Sequence, residues 1–254
     1  MHHAIYVYCV VRSARKPPSA TVPPGLPGGE RPAPVKLDDR LWLVTASVPL
    51  DRYGSGPLEA SLRDLDWVAS MALAHEAVVE HFVRAAAATV IPMKLFTMFA
   101  TDARAAAEMG KRRRELERVF DRIEGCEEWG VRVLRGEARR AGSNTRPETG
   151  AAFLAARKQA RDESKQAILA VVEAADAAFA ALSEIARERT RRSGDEIGGV
   201  APVLDAAFLV PARRRSRFHA AARRVAKQVA DRGGRMTLTG PWPPYNFVAA
   251  EEAS

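Results

Sequence analysis

Cysteine is scarce in this sequence, and so are long apolar runs and catalytic signatures. The two cysteines, Cys9 and Cys126, stand far apart and match no ligand spacing, so no disulfide framework and no cysteine metal site is expected. That scarcity suits a reducing, cytoplasmic setting. The apolar stretches near Ala4–Val11, Thr89–Ala100 and Asp205–Pro211 fall far short of the ~20 residues that a bilayer crossing needs, so no membrane span and no lipid partner is expected. The first residues, Met1 to Tyr6, run straight into a strand-like pattern without the charged, apolar and cleavable regions of a secretory signal.

Signatures of catalysis are missing as well. There is no GxSxG elbow and no GxxxxGK[ST] phosphate loop. GSGPLE at Gly54–Glu59 lacks the third glycine of a dinucleotide loop. His75 and His81 are six residues apart, whereas a zincin pair is four apart. On a helix six residues turn the second imidazole by about 120°, away from a shared metal. His75 falls instead on an apolar stripe, where a core or interface histidine with one hydrogen-bond partner is expected. Cys126 lies beside Glu127 and Glu128, which oppose thiolate formation. No strand carries the basic–aromatic pattern with which an RNA-binding sheet stacks bases. The expectation is therefore no catalytic residue, no metal, no cofactor and no nucleic acid.

What is present is a chain of 254 residues, 47% hydrophobic, with material for two modest cores. The formal net charge is +8, with basic clusters at Lys111–Arg114, Arg139–Arg140, Arg187–Arg192 and Arg213–Arg224. Such clusters serve either as solvated helix faces or as a surface for an acidic partner.

Ala4–Val11 and Leu41–Val48 read as strands, rich in β-branched and aromatic residues. Between them, Ser13–Pro34 holds so many prolines and glycines that an exposed connection is expected. Asp66–Ala87 reads as an amphipathic helix with Val68, Met71, His75, Val78 and Phe82 on one face. Thr89–Phe99 reads as a strand or turn-strand, with Pro92 favouring an edge or a bulge. Asp102–Glu124 reads as one helix capped by Thr101, ended by Gly125, with Leu116, Val119, Phe120 and Ile123 facing a sheet.

Glu128–Leu134 then opens a second unit, and Gly136–Gly150 reads as loop. Thr149–Thr190 is the longest helical segment, with fourteen alanines. Ile168, Val172, Ala175, Phe179, Leu182 and Ala186 form a heptad-like seam for a sheet or another helix. Gly194, Gly198, Gly199 and Pro202 mark a loop, and Ala206–Val210 a strand. Arg213–Arg232 reads as a basic helix whose apolar side is Phe218, Ala221, Ala222, Val225 and Val229. Arg235–Thr239 reads as the last strand. Strands interleaved with helices in both halves predict two small α+β domains, 1–125 and 126–254.

The segment Leu238–Phe247, LTGPWPPYNF, is the most specific in the chain. It closely resembles the terminal signature of the gas vesicle GvpF/GvpL family. AIYVYCVV resembles that family's opening strand, and LDWVASMALAHEAVV at Leu65–Val79 its helix with an Ala-His-Glu step. TVIPMKLFTMF and EEWGVRV resemble its middle segment and its Glu-Trp-Gly strand. The middle segment departs from the family's usual arginine-then-glycine, carrying Lys94 and Phe96.

The resemblance covers nearly the whole chain. It implies two α+β domains, at least one ferredoxin-like, and a minor structural or assembly component of gas vesicles rather than an enzyme. The implied partners are the major shell protein and other accessory gas vesicle proteins, and the implied location is the gas vesicle within the cytoplasm. The alternative is a cytoplasmic α+β enzyme or ligand-binding protein with no site recognisable in the sequence.

Two stretches are the candidate partner-binding residues: Arg213, Arg214 and Arg217 on the basic helix, and Trp242, Tyr245 and Phe247 in the proline-rich segment. Pro241, Pro243 and Pro244 fix φ and remove donors, so this segment is expected to leave the sheet as an extended strap, with Gly240 supplying the turn. Its aromatics either pack over their own domain core or the interdomain groove, or form an exposed anchor for the shell protein.

Overall fold

The computed structural model describes residues 2–85, 88–136, 150–193 and 201–248. The loops expected around Gly136–Gly150 and at Gly194, Gly198 and Gly199 lie almost wholly outside the described residues. The chain forms two compact units, each α+β. One comprises the residues up to Gly125 together with the segment from Trp242 onward, and the other is Cys126–Pro241.

In the first unit, β1 (His3–Arg12), β2 (Ala33–Lys36) and β3 (Leu41–Pro49) are followed by two short helices, α1 (Leu50–Tyr53) and α2 (Ser55–Ser61). Then come α3 (Leu65–Val83), β4 (Thr89–Pro92), β5 (Met98–Phe99), α4 (Asp102–Lys111) and α5 (Arg113–Ile123). The strands form an antiparallel sheet in the order β2-β3-β1-β4, with β5 also on β1. β1 carries a bulge between Val7 and Cys9. An extra residue there shifts the alternation, so Tyr6, Tyr8, Cys9 and Val11 all join one core with Val78, Val79 and Phe82 of α3. Each fully buried large side chain contributes on the order of 1.5–3 kcal/mol. α3 begins where the Asp64 carboxylate accepts from Asp66 and Trp67 amides at 3.0 and 3.1 Å.

The structure differs from the sequence expectation at several points. The Ser13–Pro34 stretch is not all exposed connection. Val22 and Leu26 are buried in the core, and Pro34 lies in edge strand β2, where a missing donor is tolerated. Asp102–Glu124 is two helices, because the backbone leaves helical geometry at Arg112, two residues after Gly110. The Thr101 cap is in place, accepting from the Arg104 amide at 3.2 Å. Thr89–Phe99 is split into two strands around Phe96, whose φ of 63° is left-handed.

The second unit runs β6 (Cys126–Arg135), α6 (Gly150–Ser183), β7 (Glu188–Arg191), β8 (Leu204–Pro211), a 3-10 turn (Ala212–Arg214), α7 (Arg215–Asp231) and β9 (Gly234–Trp242). This is a β-α-β-β-α-β order with the sheet arranged β7-β8-β6-β9. α6 and α7 pack against Trp129, Val131 and Val133 of β6 and Leu204, Ala206, Phe208 and Val210 of β8. The expected long helix stops at Ser183, and Glu188–Arg191 is a strand. The buried positions of α6 are Val171, Ala175, Ala178 and Leu182, whereas Ile168 and Val172 stay exposed. The buried stripe thus keeps the four-and-three alternation but lies one position round from the expected seam, sharing Ala175 and Leu182 with it, while Phe179 and Ala186 pack at its edge. β9 continues through Pro241 to Trp242. As an edge strand it accommodates the proline that a central strand excludes, so the strap begins after Trp242, two residues beyond Gly240.

Candidate functional site

The basic helix begins where Pro211 ends β8. Phe218, Ala221, Ala222, Val225 and Val229 of α7 face the core of the second unit, as their spacing predicts. The opposite face carries Arg217, Arg223, Arg224 and Lys227, with Arg213 in the preceding turn. All five are exposed, and among the described residues none is in an ion pair. Arg214 behaves differently. It is half-buried, and its Nη1 donates to the Ile185 carbonyl at 3.0 Å, closing the turn after α6. Arg215 forks the Glu127 carboxylate of β6. Of the three arginines picked out in the sequence, Arg213 and Arg217 are therefore free and Arg214 holds structure. Arg223 and Arg224 of the same basic cluster, and Lys227 beyond it, share this face, at steps of three and four from Arg217 and Ala220.

A buried charge cluster sits at the start of β8. Asp205 is gripped from both sides by Arg132 of β6 and Arg192, each through two nitrogens. Both guanidinium groups keep partial solvent contact while the carboxylate has almost none. This pairing consumes the hydrogen-bonding capacity of the carboxylate and leaves no open position for chemistry.

The proline-rich segment belongs to the first unit. After Trp242, Pro243 and Pro244 are buried and Tyr245–Phe247 close a 3-10 turn, with the Phe247 amide donating to Pro244 O at 3.0 Å. Phe247 is 5% exposed, and its carbonyl accepts from Arg122 of α5. Tyr245 is half-buried, 6.4 Å from the His75 ring and beside the Glu76 carboxyl. Burial pushes up the pKa of both Tyr245 and Glu76. Trp242 keeps 42% of its surface exposed. The three candidate aromatics thus divide: Tyr245 and Phe247 attach the strap to the unit, and Trp242, at the end of β9, presents surface.

His75 lies beneath this strap, in the core. Its Nδ1 is 2.8 Å from the Tyr6 hydroxyl, which also accepts from the Phe96 amide at 3.2 Å. Burial depresses the His75 pKa to about 4, against a smaller opposing effect of the Met93 backbone, so the ring is neutral at pH 7. In the tautomer that leaves Nδ1 bare, Tyr6 donates to it. The Tyr8 ring stacks on the imidazole at 5.5 Å, and the Tyr8 hydroxyl accepts from the Leu26 amide at 2.9 Å. His81 takes a different partner, donating from Nε2 to Pro18 O at 3.4 Å.

No group of three or more histidine, cysteine or carboxylate side chains is placed to hold a metal ion among the described residues. Cys9 is fully buried and its thiol is pushed up; burial also raises Cys126, with Arg187 opposing. Both are poorly suited to nucleophilic work.

The sequence profile of the family described as Gas vesicle synthesis protein GvpL/GvpF matches residues 4–249. Gas vesicle protein L of Streptomyces sp. strain CB03234 is 30% identical, over 97% of this chain and 93% of its own length. Among solved structures, GvpF from Anabaena sp. PCC7120 superposes with a TM-score of 0.70 at 15% identity, covering 98% of each chain. GvpF from Microcystis aeruginosa does so with a TM-score of 0.65 at 14% identity, covering 97% of this chain and 99% of its own. These two likenesses establish the fold, and the profile and the Streptomyces relative establish the kinship: the chain belongs to the gas vesicle GvpL/GvpF family.

Proposed function

We propose that this chain is a minor structural or assembly component of gas vesicles, acting by binding the major shell protein or other accessory gas vesicle proteins rather than by catalysis. Its place of work is the gas vesicle within the cytoplasm. The observation that carries the reading is the outer face of α7 and the turn before it, where five cations stand without an acidic partner among the described residues. Desolvating free cations against a neutral surface is unfavourable, so this face fits a partner with carboxylates. Trp242 adds a part-exposed aromatic of the kind that anchors interfaces. The β-α-β-β-α-β order of the second unit supports its reading as the ferredoxin-like domain.

The test is a pull-down with purified shell protein and with each accessory gas vesicle protein. Arg213→Glu with Arg217→Glu and Arg224→Glu should leave thermal stability unchanged and weaken retention of at least one partner, more at low salt than at high salt. Arg214 is left alone because reversing it would open the turn after α6. Undiminished retention of every partner would remove the basic face from the mechanism. Normal gas vesicles in cells lacking the chain would remove the role itself.

A further inference from the structure

Among the described residues, the first half of α6 has no partner in its own fold. Every described side chain from Ala151 to Leu169 is exposed, and burial begins only at Val171. Val229 of α7, the last buried residue of that helix, lies against Gly234, as does Val171, so the core ends where the exposed half of α6 begins. The first half of α6 is thus an arm of roughly five turns, about 28 Å long.

The arm repeats the pattern of the half that is packed. Val171, Ala175, Ala178 and Leu182 line the buried stripe. Stepping back from Val171 by the same threes and fours gives Ala167, Ser164, Ala160, Ala156 and Phe153. These share one face, and every one of them is exposed. Small residues there let another helix approach at the short end of the usual 8–10 Å spacing. Phe153 is 52% exposed, and next to it Leu154 is 65% exposed.

Charge indicates what covers this face. Arg157 and Arg161 lie along one flank of the seam, with Lys158 and Lys165 further round the same side. Against these four cations the arm has two acids, Asp162 and Glu163, and Glu163 lies on the opposite flank. None of the four cations is in an ion pair among the described residues. In a two-fold antiparallel pairing of two arms like flanks meet, which would set arginine against arginine. An antiparallel second copy is therefore disfavoured, and a parallel one offers Glu163 alone against the arginine pair Arg157 and Arg161.

A lipid surface is disfavoured too. By length and composition Phe153–Ser183 is long and apolar enough to cross a bilayer, where the short apolar stretches predict no span. Its second half packs into the core, however, and in the arm the exposed apolar side chains Phe153, Leu154, Ile168 and Leu169 sit at its two ends, with six charges between them, so no continuous apolar face is left for interfacial binding.

We propose that residues 151–169 of α6 are a docking arm for an acidic amphipathic helix of a partner protein, packed seam to seam with its carboxylates on Arg157 and Arg161. The proposal rests on the functional reading above, in that the partner is sought among gas vesicle proteins. The test places the photo-cross-linker p-benzoylphenylalanine at Ala160 or Ala167 of the full chain, in cells that form gas vesicles, and identifies the captured peptides. Both positions should capture one net-negative, amphipathic segment of a single gas vesicle protein. Arg157→Glu with Arg161→Glu should lower the yield about tenfold without changing the melting temperature of the purified chain. Capture of another copy, of lipid, of many unrelated proteins or of nothing overturns the proposal, as does a yield indifferent to the charge reversal. Co-sedimentation of the purified chain with phosphatidylglycerol vesicles, lost on the same reversal, also overturns it. If the chain is needed for gas vesicles but the arm captures nothing, the functional reading survives and the arm does not. If gas vesicles form normally without the chain, the functional reading falls first.

Discussion

His75 and Tyr6, 69 residues apart in sequence, meet in the core with Nδ1 2.8 Å from the hydroxyl. The contact ties α3 to β1, and it holds the imidazole where water cannot solvate a charge. Burial puts the His75 pKa at about 4, below the ordinary 6.5. Above pH 6.5 neither the folded nor the unfolded state carries the proton. Between about 6.5 and 4 only the unfolded state takes it up, so stability falls as the pH falls and levels off below 4. The full effect is up to about 3 kcal/mol. Glu76, whose carboxyl is pushed up, works in the opposite sense, because the folded state takes its proton first. Melting curves from pH 7 to 4 should therefore show a larger decline for the native chain than for His75→Gln, which keeps an acceptor for Tyr6 but does not titrate. Parallel declines would show that His75 charges freely in the folded state.

Asp205→Ala leaves Arg132 and Arg192 facing each other across an emptied site. Because both guanidinium groups retain some solvent, the loss should fall near the lower end for a broken buried pair, about 2–3 kcal/mol in urea unfolding. A variant as stable as the native chain would mean that the charge cluster adds no net stability.

The strap residues should rank by burial. Phe247→Ala empties a nearly closed site and should cost about 2–4 kcal/mol. Trp242→Ala should cost roughly 1 kcal/mol or less, since so much of the indole already meets solvent. Thermal unfolding of the two variants in parallel checks the order, and a reversed order would contradict the burial described.

Gly25 has φ +75°, and a Cβ there would land on the Tyr8 hydroxyl and within 2.7 Å of Pro32 Cγ. Gly25→Ala should therefore lose about 2–3 kcal/mol, from the left-handed backbone and from the displaced tyrosine. An unchanged urea midpoint would show that the loop yields without cost.

The periodic segments were legible in the sequence. Phe218, Ala221, Ala222, Val225 and Val229 face inward as their spacing says, and β1, β3, β6 and β8 lie where β-branched and aromatic residues cluster. Three features were not legible, each for a physical reason. β7, Glu188–Arg191, has no apolar pattern, and its charged residues are tolerated because it is an edge strand. The burial of Val22 and Leu26 depends on a long-range bond from the Leu26 amide to Tyr8, which no local pattern announces. Phe96 replaces the expected glycine yet keeps a left-handed backbone, helped by the Tyr6 hydroxyl on its amide and by stacking on Trp67 at 5.7 Å. Of the candidate partner residues, a run of arginines marked the basic helix, but only the fold separates Arg214, which bonds a carbonyl, from Arg213 and Arg217, which among the described residues do not.

The second unit is threaded into the first, between Gly125 and Trp242. On the ribosome this fixes an order of events. The strands and helices up to Ile123 emerge early, but the side chain that fills the Phe247 site and the carbonyl that Arg122 grips are made more than a hundred residues later. The intervening unit has all its own strands and helices by Pro241 and can close before the earlier one is finished. A chain cut short within β9 would keep both sheets in sequence yet lack the turn at Tyr245–Phe247 that covers His75 and Glu76, so integrity of the first unit reports on synthesis through residue 247.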